Sequence, residues 1–578
     1  MIEKMNKYSF ILLKDDTQSF LEKLQGIGLM DIKRSSKAVD EKSSEMIREA
    51  EELRTYIGWL KSGDFTKDPA YADILARHAA KSAEIAAREP WGEFDRTVID
   101  RLEAAGYKTR FYCVPAKKFE EGWSSICPLQ VVRNDGRNVW FVTVTGEGDA
   151  AVPAAECDAP SGSAEQSRKE LAEIQMELDA RESELKEIQK SVPELEREYG
   201  QKLSLAELYL AGTTRESAAA DTIDVMTGFA PVENEAEIDR ELDAMGTFYL
   251  KEAARTTDKP PIKLRNNSFV KMFELFTDMY GRPEYDGFDP TPYISIFFLL
   301  FFAMCMGDCG YGLVLIAAGF LLKKVKSFAD ISPLVVTLGI GTTVIGFFFH
   351  TFFSVDMTSW SIIPDGAKAL MVPAKIAGYD GTMVVAIAVG IIHLCLAMIV
   401  KTVYATRNKG ILNSLSIWGW TVLIVGGTVT GAVALAGVID SGITKIIVVA
   451  LGIASAACIF LLNDLKRNPL INIGAGLWET YNTATGLLGD VLSYLRIYAL
   501  GLAGCMLGFA FNDLARMALG DGGFGWIPFV LIVLIGHTLN LAMAALGAFV
   551  HPLRLNFLEF FKNSGYEGTG HRYNPLKK

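Results

Sequence analysis

The feature that most limits what this chain can fold into is a series of long apolar runs in its second half. They fall at about residues 293–307, 310–324, 331–355, 382–404, 414–438, 443–462, 475–519 and 526–561. Inside the roughly 30 Å hydrocarbon core of a bilayer, only a helix or a closed barrel satisfies its own backbone, and runs of this length read as helices. Eight transmembrane helices are expected, the first two short and joined by a tight turn around Gly307 and Asp308. Two runs are too long: at 1.5 Å per residue, 475–519 would reach about 65 Å and 526–561 about 50 Å. Both are expected to tilt strongly or to project into water.

The first half is different. Of 578 residues, 50% are hydrophobic and 22% charged, but the charges crowd into 1–289. The chain divides into a polar arm at 1–289, a membrane domain at 290–563 that opens on Pro290 and Pro292, and a tail at 564–578. MIEKMNKYSFILLKDD has too short an apolar stretch for a signal peptide and runs into acidic residues, which places the arm in the cytoplasm. With that orientation the inner loops hold Lys323, Lys324 and Lys326, then Lys401, Arg407 and Lys409, then Lys466 and Arg467. The tail adds Arg572, Lys577 and Lys578, whereas the outer loops hold only Lys368, Lys375 and Lys445. The excess of basic residues inside puts both termini of this multi-pass membrane protein in the cytoplasm.

Within the arm, KYSFILLKDDTQSFLEKLQGIGLMDIKR reads as strand, helix and strand, punctuated by Gly26 and Gly28. Residues from about 41 to 60 are helical with weak apolar spacing. From 168 to 203 the spacing is clear: Leu171, Ile174, Leu178, Leu185, Ile188, Val192, Leu195 and Tyr199 alternate at three and four, broken only by Arg181. Between these helices, TRFYCVPAKKF and NVWFVTVTG look like strands of a second small lobe. The fold class is therefore an α-helical polytopic membrane protein with an N-terminal cytoplasmic domain made of α/β lobes and a coiled-coil hairpin.

Several function classes are excluded. The net charge of -11, with no basic stripe, argues against nucleic-acid binding. No GxxxxGK[ST], GxGxxG, HExxH or GxSxG is present, so the chain shows no machinery for hydrolysing a nucleotide or an ester, and no cofactor is expected. The eight cysteines form no CxxC, and four scattered histidines without clustered carboxylates make no metal site. His350, His393, His537 and Asn540 read as interhelical hydrogen-bonding groups. Acidic and basic runs on the arm read as solvated faces.

Arg496, in GDVLSYLRIYALGLAG, is the anomaly. A guanidinium at mid-membrane costs from about 2.5 to 10 kcal/mol or more, so it survives facing a cavity, water or a counter-charge. Gly489, Ser493, Ala499, Ala503 and Ala510 share its side of the helix, a stripe that admits a close partner. Two readings are open: a salt bridge or carbonyl contact that locks two helices, or a functional charge. Asp490 is on another face and segments three to six hold no interior carboxylate, which favours a carboxylate from another subunit. Arg554, in FVHPLRLNFLEFF, has His551 one turn before it and Glu559 five residues after. Near the cytoplasmic end, it fits an interface anchor as well.

LSYLRIYALGLA with HPLRLNFLEFF, the boundary FDPTPYISIFFLLFFAMCMGDCGYG and the stretch PPIKLRNNSFVKMFELFTDMYGRPEYDGFDPTP closely resemble subunit I, the a-type membrane stator subunit of V-type and archaeal-type rotary ATPases. The resemblance covers nearly the whole chain. It implies that Arg496 faces a rotating ring of proteolipid subunits, each with a mid-membrane carboxylate. The arginine would favour the ionised carboxylate, which gives up its proton or Na⁺ to one half-channel and reloads from the other. Arg554 would support the same interface, with Ser493, Tyr494, Glu479, His551 and Glu559 as ion-path candidates. The arm would bind E/G-type peripheral stalks and, through them, the ATPase head, holding the stator against torque. The chain departs from the family pattern at FFHTFFS, where Thr351 replaces an acidic residue, and at Pro552 and Asn556.

Rival readings are a secondary transporter and a receptor or scaffold with a coiled-coil arm. The first should show two related halves with broken helices, and no such repeat is visible. The second leaves Arg496 without a purpose.

Overall fold

The computed structural model describes residues 1–35, 37–92, 96–146, 152–157, 164–218, 222–325, 328–361, 363–376, 378–461, 469–519 and 525–577. Lys326, Lys466, Arg467 and Lys578, used above to orient the chain, lie outside these. Two compact units emerge. One comprises Met1–Lys14, Leu29–Lys33 and Ser217–Pro575; the other comprises Asp15–Gly28, Arg34–Glu216 and Leu576–Lys578.

In the first unit, Met5–Leu13, Ile223–Pro231, Phe248–Ala253 and Asp31–Ile32 form an antiparallel sheet. Alternation dictates its two faces: Tyr8, Phe10 and Leu12 are buried, while Ile11 and Leu13 are exposed. Gly228 is required where the short strand crosses, since a Cβ there would lie 2.8 Å from Met30 and Ile32 side-chain atoms. The Tyr8 hydroxyl donates to Asp239 Oδ1 on the helix Glu235–Ala244 at 3.1 Å.

Among the described residues, eight apolar helices follow in the same unit. Thr291–Met306, Cys309–Leu322 and Ser332–Phe348 are short. Five helical stretches are long and apolar enough to cross a membrane: Gly381–Asn408, Leu412–Leu435, Ser441–Phe460, Ile471–Leu519 and Trp526–Ser564. The predicted tight turn is present: Gly307 has φ +54, and Asp308 caps the next helix by accepting from the Tyr311 amide at 3.1 Å. The same carboxylate accepts from the amides of Phe353 and Ser354 at 2.9 and 2.6 Å, holding a loop in which His350, Phe353 and Ser354 all have positive φ. His350 Nδ1 lies 3.2 Å from Asp356 Oδ1 within that loop, so its near polar neighbour is in the turn and not on another helix as expected.

The last helix carries its own irregularity. Pro552 has no N–H to give to the carbonyl one turn earlier, and just beyond it Leu555–Phe560 widens to a π-helical turn before Phe561–Ser564. The Asn556 side chain donates to the Pro552 carbonyl at 2.9 Å.

The tail returns across the arm's base. His571 accepts from the Ile262 amide at 2.8 Å, the Tyr573 amide donates to Ile262 O at 3.1 Å and the Gly570 amide donates to Arg282 O at 2.9 Å. Gly281, with φ +130, meets it so closely that a Cβ would lie 2.3 Å from Gly568 O.

The second unit contains the arm's paired helices. Glu41–Ser62 lies along Val192–Thr213 and Pro69–Arg88 along Ala164–Lys190. Leu178, Leu185 and Val192 of the predicted seam are buried. The returning helix is interrupted at Ser191, where Pro193 restarts it. The second lobe is a four-stranded antiparallel sheet in the order Leu129–Asn134, Asn138–Thr145, Lys108–Pro115, Glu156–Cys157.

Candidate functional site

Arg496 is on the Pro469–Leu519 helix, which packs along the last helix. Its side chain is half-buried, and Nη1 is fully buried with no hydrogen-bond partner. It acts electrostatically on His551 and Glu559 of the last helix. No ion pair within 4 Å joins it to any of the described residues. His551 Nδ1 and Glu559 Oε2 are likewise buried without a partner, although Glu559 is only 4% exposed. Burying a bare polar atom is costly, and these three belong to residues that act on one another electrostatically. Glu559 is buried within the π-helical turn Leu555–Phe560, and such turns recur at functional sites.

Ser493 lies beside this group: its hydroxyl bonds the Gly489 carbonyl at 3.0 Å and also interacts with Glu559. Arg554 is exposed and without an ion pair among the described residues, and like Arg496 it acts electrostatically on His551, one turn before it. Tyr494 is turned away from Arg496; it is 1% exposed, with its hydroxyl 3.0 Å from His393 Nδ1. Glu479 lies 17 residues before Arg496, about 25 Å along the helix. It lines a cavity of about 290 Å³ together with Lys401, Asp490, Lys562 and Asn563.

Asp490 belongs to that cavity and is satisfied within the chain. Its Oδ2 accepts from Asn563 Nδ2 at 2.7 Å, and Lys562 Nζ lies 3.6 Å from Oδ1. The sequence reading set Asp490 aside as facing another way, and its signal was weak: Lys562 and Asn563 are more than seventy residues distant. A second polar group surrounds Tyr311. Its hydroxyl is 2.7 Å from His537 Nδ1 and accepts from Asn540 Nδ2 at 2.8 Å. His537 Nε2 is 3.0 Å from Asn512 Oδ1, and Asn540 also donates to Gly504 O at 2.8 Å. His537 and Asn540 are thus interhelical bonding groups, as their positions suggested. Tyr311, their shared partner, has no signature in the sequence beyond its place in CGYG.

Apolar helices long enough to cross a bilayer, with ionisable and hydrogen-bonding groups packed among them, on a chain that also carries an α/β arm, point to a membrane protein. The sequence profile of the V-type ATPase 116kDa subunit family matches residues 216–357, the stretch from the arm's sheet through the first three apolar helices. The A-type ATP synthase subunit I of Methanocaldococcus jannaschii is 30% identical over 372 residues, 59% of this chain and 52% of that protein. The V-type ATP synthase subunit I of Chlamydia muridarum is 24% identical over 571 residues, covering 86% of this chain and 84% of that protein. For Borreliella burgdorferi V-type ATP synthase subunit I the figures are 22% over 503 residues, 84% and 82%. The chain spans about half the length of the archaeal relatives it matches. A crystal structure of the cytoplasmic N-terminal domain of subunit I, homolog of subunit a, of V-ATPase aligns at TM-score 0.19 and 14% identity, over 43% of this chain and 100% of that one. That likeness is too loose to bear on the fold. The chain is thus similar to subunit I of V-type and A-type ATPases, in the profile match and in its relatives alike.

Proposed function

We propose that this subunit is the membrane stator of a rotary ATPase, which passes protons or Na⁺ between two half-channels against a rotating proteolipid ring. The observation that carries the reading is Arg496: a guanidinium within an apolar helix, partly buried, with no ion-pair partner among the described residues. A charge so placed is stabilised by a counter-charge, and a ring carboxylate from another subunit supplies one. Asp490, by contrast, already has its partners in this chain.

In this reading the eight apolar helices all cross the bilayer, the two long ones inclined, with both termini in the cytoplasm. The cavity lined by Glu479, Asp490 and Lys562 supports an access path on one side of Arg496. Ser493, His551 and Glu559 line the path nearest the arginine, and Arg554 supports the ring-facing surface. The arm holds peripheral stalks of the E/G type and, through them, the ATPase head, so that torque on the ring is resisted.

The test is ATP-driven ion uptake into vesicles that hold the assembled complex, with Arg496 compared to Arg496→Ala. Uptake lost at unchanged assembly supports the reading. Uptake retained would reduce Arg496 to a packing charge and end it.

A further inference from the structure

The helix that carries Arg496 is pinned from behind. Tyr494, two residues earlier, points about 200° round the helix, into the body of the bundle. Its hydroxyl lies 3.0 Å from Nδ1 of His393, on the helix Gly381–Lys409. Gly390, one turn before His393, leaves the room the ring needs: a Cβ there would fall 2.3 Å from Tyr494 Cγ.

His393 is itself 0% exposed and is held on both faces. One face stacks on Phe560 at 4.9 Å between centroids and 6° between planes; the other lies on Phe297 at 4.2 Å and 30°. Phe560 ends the π-helical turn that follows Arg554, and Phe297 is on Thr291–Met306. A single imidazole therefore bonds the helix of Arg496, stacks on the helix of Arg554 and rests on a third.

The arrangement bears on the arginines because, among the described residues, neither guanidinium is itself held by an ion pair. Arg496 has no ion pair among the described residues, and Arg554 is exposed and equally unpaired. The place of each guanidinium then follows from the roll of its helix; Asp490–Asn563, Asn512–His537 and Gly504–Asn540 tie the two helices to each other, and His393 ties both to the rest of the bundle. A charge about 6 Å from a helix axis moves about 2 Å when the helix rolls by 20°, and ångström-scale misplacement of a reacting group is enough to cost a step dearly.

We infer that His393 is a positioning residue: through the Tyr494 hydroxyl and the Phe560 ring it sets the roll of both arginine-bearing helices. The inference rests on the stator reading above. Three variants address it independently. His393→Phe keeps a flat ring for stacking and loses Nδ1; Tyr494→Phe removes the same bond from the other side; Gly390→Ala leaves both groups and displaces the ring.

The experiment measures ions taken up per ATP hydrolysed, and passive ion leak without nucleotide, in vesicles containing the assembled complex. His393→Phe and Tyr494→Phe are each expected to lower ions per ATP several-fold, and the double variant to be no worse than either alone, because both remove one bond. Gly390→Ala is expected to fall in the same direction. Tyr494→Phe deletes a single oxygen and decides the matter where His393→Phe fails to assemble. Reduced assembly with unchanged ions per ATP in the assembled fraction would mean a purely structural tie and would overturn the inference. Arg496→Ala, run alongside, separates the two failures: if it still pumps, the stator reading is wrong, and if it alone stops pumping, only the role of His393 is.

Discussion

Arg181 and Asp68 form a two-point ion pair between the arm's helices, with Nε to Oδ2 at 3.0 Å and Nη2 to Oδ1 at 3.1 Å. Asp68 also caps the helix Pro69–Arg88 by accepting from the Tyr71 amide at 3.0 Å. The charge that interrupts the apolar seam is thus matched by one on the facing helix.

Removing one partner should therefore cost more than a surface charge does. Arg181→Leu restores the seam's spacing yet leaves Asp68 largely buried, and is expected to destabilise the arm by about 2 kcal/mol. Faster amide exchange along Pro69–Arg88 is the measurement, and unchanged exchange would show that the pair contributes nothing.

The same pair sets a pH dependence. The Arg181 guanidinium beside Asp68 holds its carboxylate below the usual range. A depressed folded value gives stability that is fully present above the unfolded value of about 3.9, and that is lost as pH falls through the folded one. Acid unfolding of the arm below about pH 4 should be less steep in Asp68→Asn than in the parent chain. Circular dichroism against pH would report it.

Gly281 answers for the tail. Gly281→Ala places a methyl against Gly568 O on a backbone with φ +130, and such positions cost about 1–3 kcal/mol when filled. Exchange of the Gly570 and Tyr573 amides, which donate to Arg282 O and Ile262 O, should accelerate while the membrane helices keep their protection.

Asn540 makes two interhelical bonds, to Tyr311 and to Gly504 O. Hydrogen bonds between membrane helices average about 0.6 kcal/mol each, so Asn540→Leu is expected to lose only about 1 kcal/mol. A shift of a few degrees in thermal unfolding in detergent would agree; collapse of the fold would mean that the Tyr311 group is a single cooperative network.

Arg554→Ala should leave assembly intact, since the side chain is exposed and unpaired. Ion uptake is expected to fall, though less than for Arg496→Ala. Uptake equal to the parent's would make Arg554 an interface anchor.

Much of this was legible in the sequence, for identifiable reasons. The apolar helices announce themselves because burial in lipid demands unbroken hydrophobicity, and the Gly307–Asp308 turn because a left-handed residue followed by a capping carboxylate is a local device. Arg496, His551 and Glu559 stood out as polar or charged groups in apolar company. Other features depend on distant partners. The helix Pro69–Arg88 has an apolar stripe, but one built largely of alanine, a weak signal for a packed face. Asp490 finds Asn563 more than seventy residues away, and nothing near Tyr494 reveals that it turns toward His393. The break at Ser191 was missed because the three-four spacing runs straight through it.

The widened turn at Leu555–Phe560 amounts to one residue too many in an otherwise regular helix. Shorten the chain there by a single residue and the helix would run on evenly, still predominantly apolar, still long enough. Everything beyond Arg554 would then arrive about 100° out of phase: Phe560 off His393, Glu559 away from Arg496, Asn563 away from Asp490. A one-codon deletion that hydrophobicity would pass unnoticed is thus among the most damaging changes this segment can suffer, and register here is inherited as a count of residues.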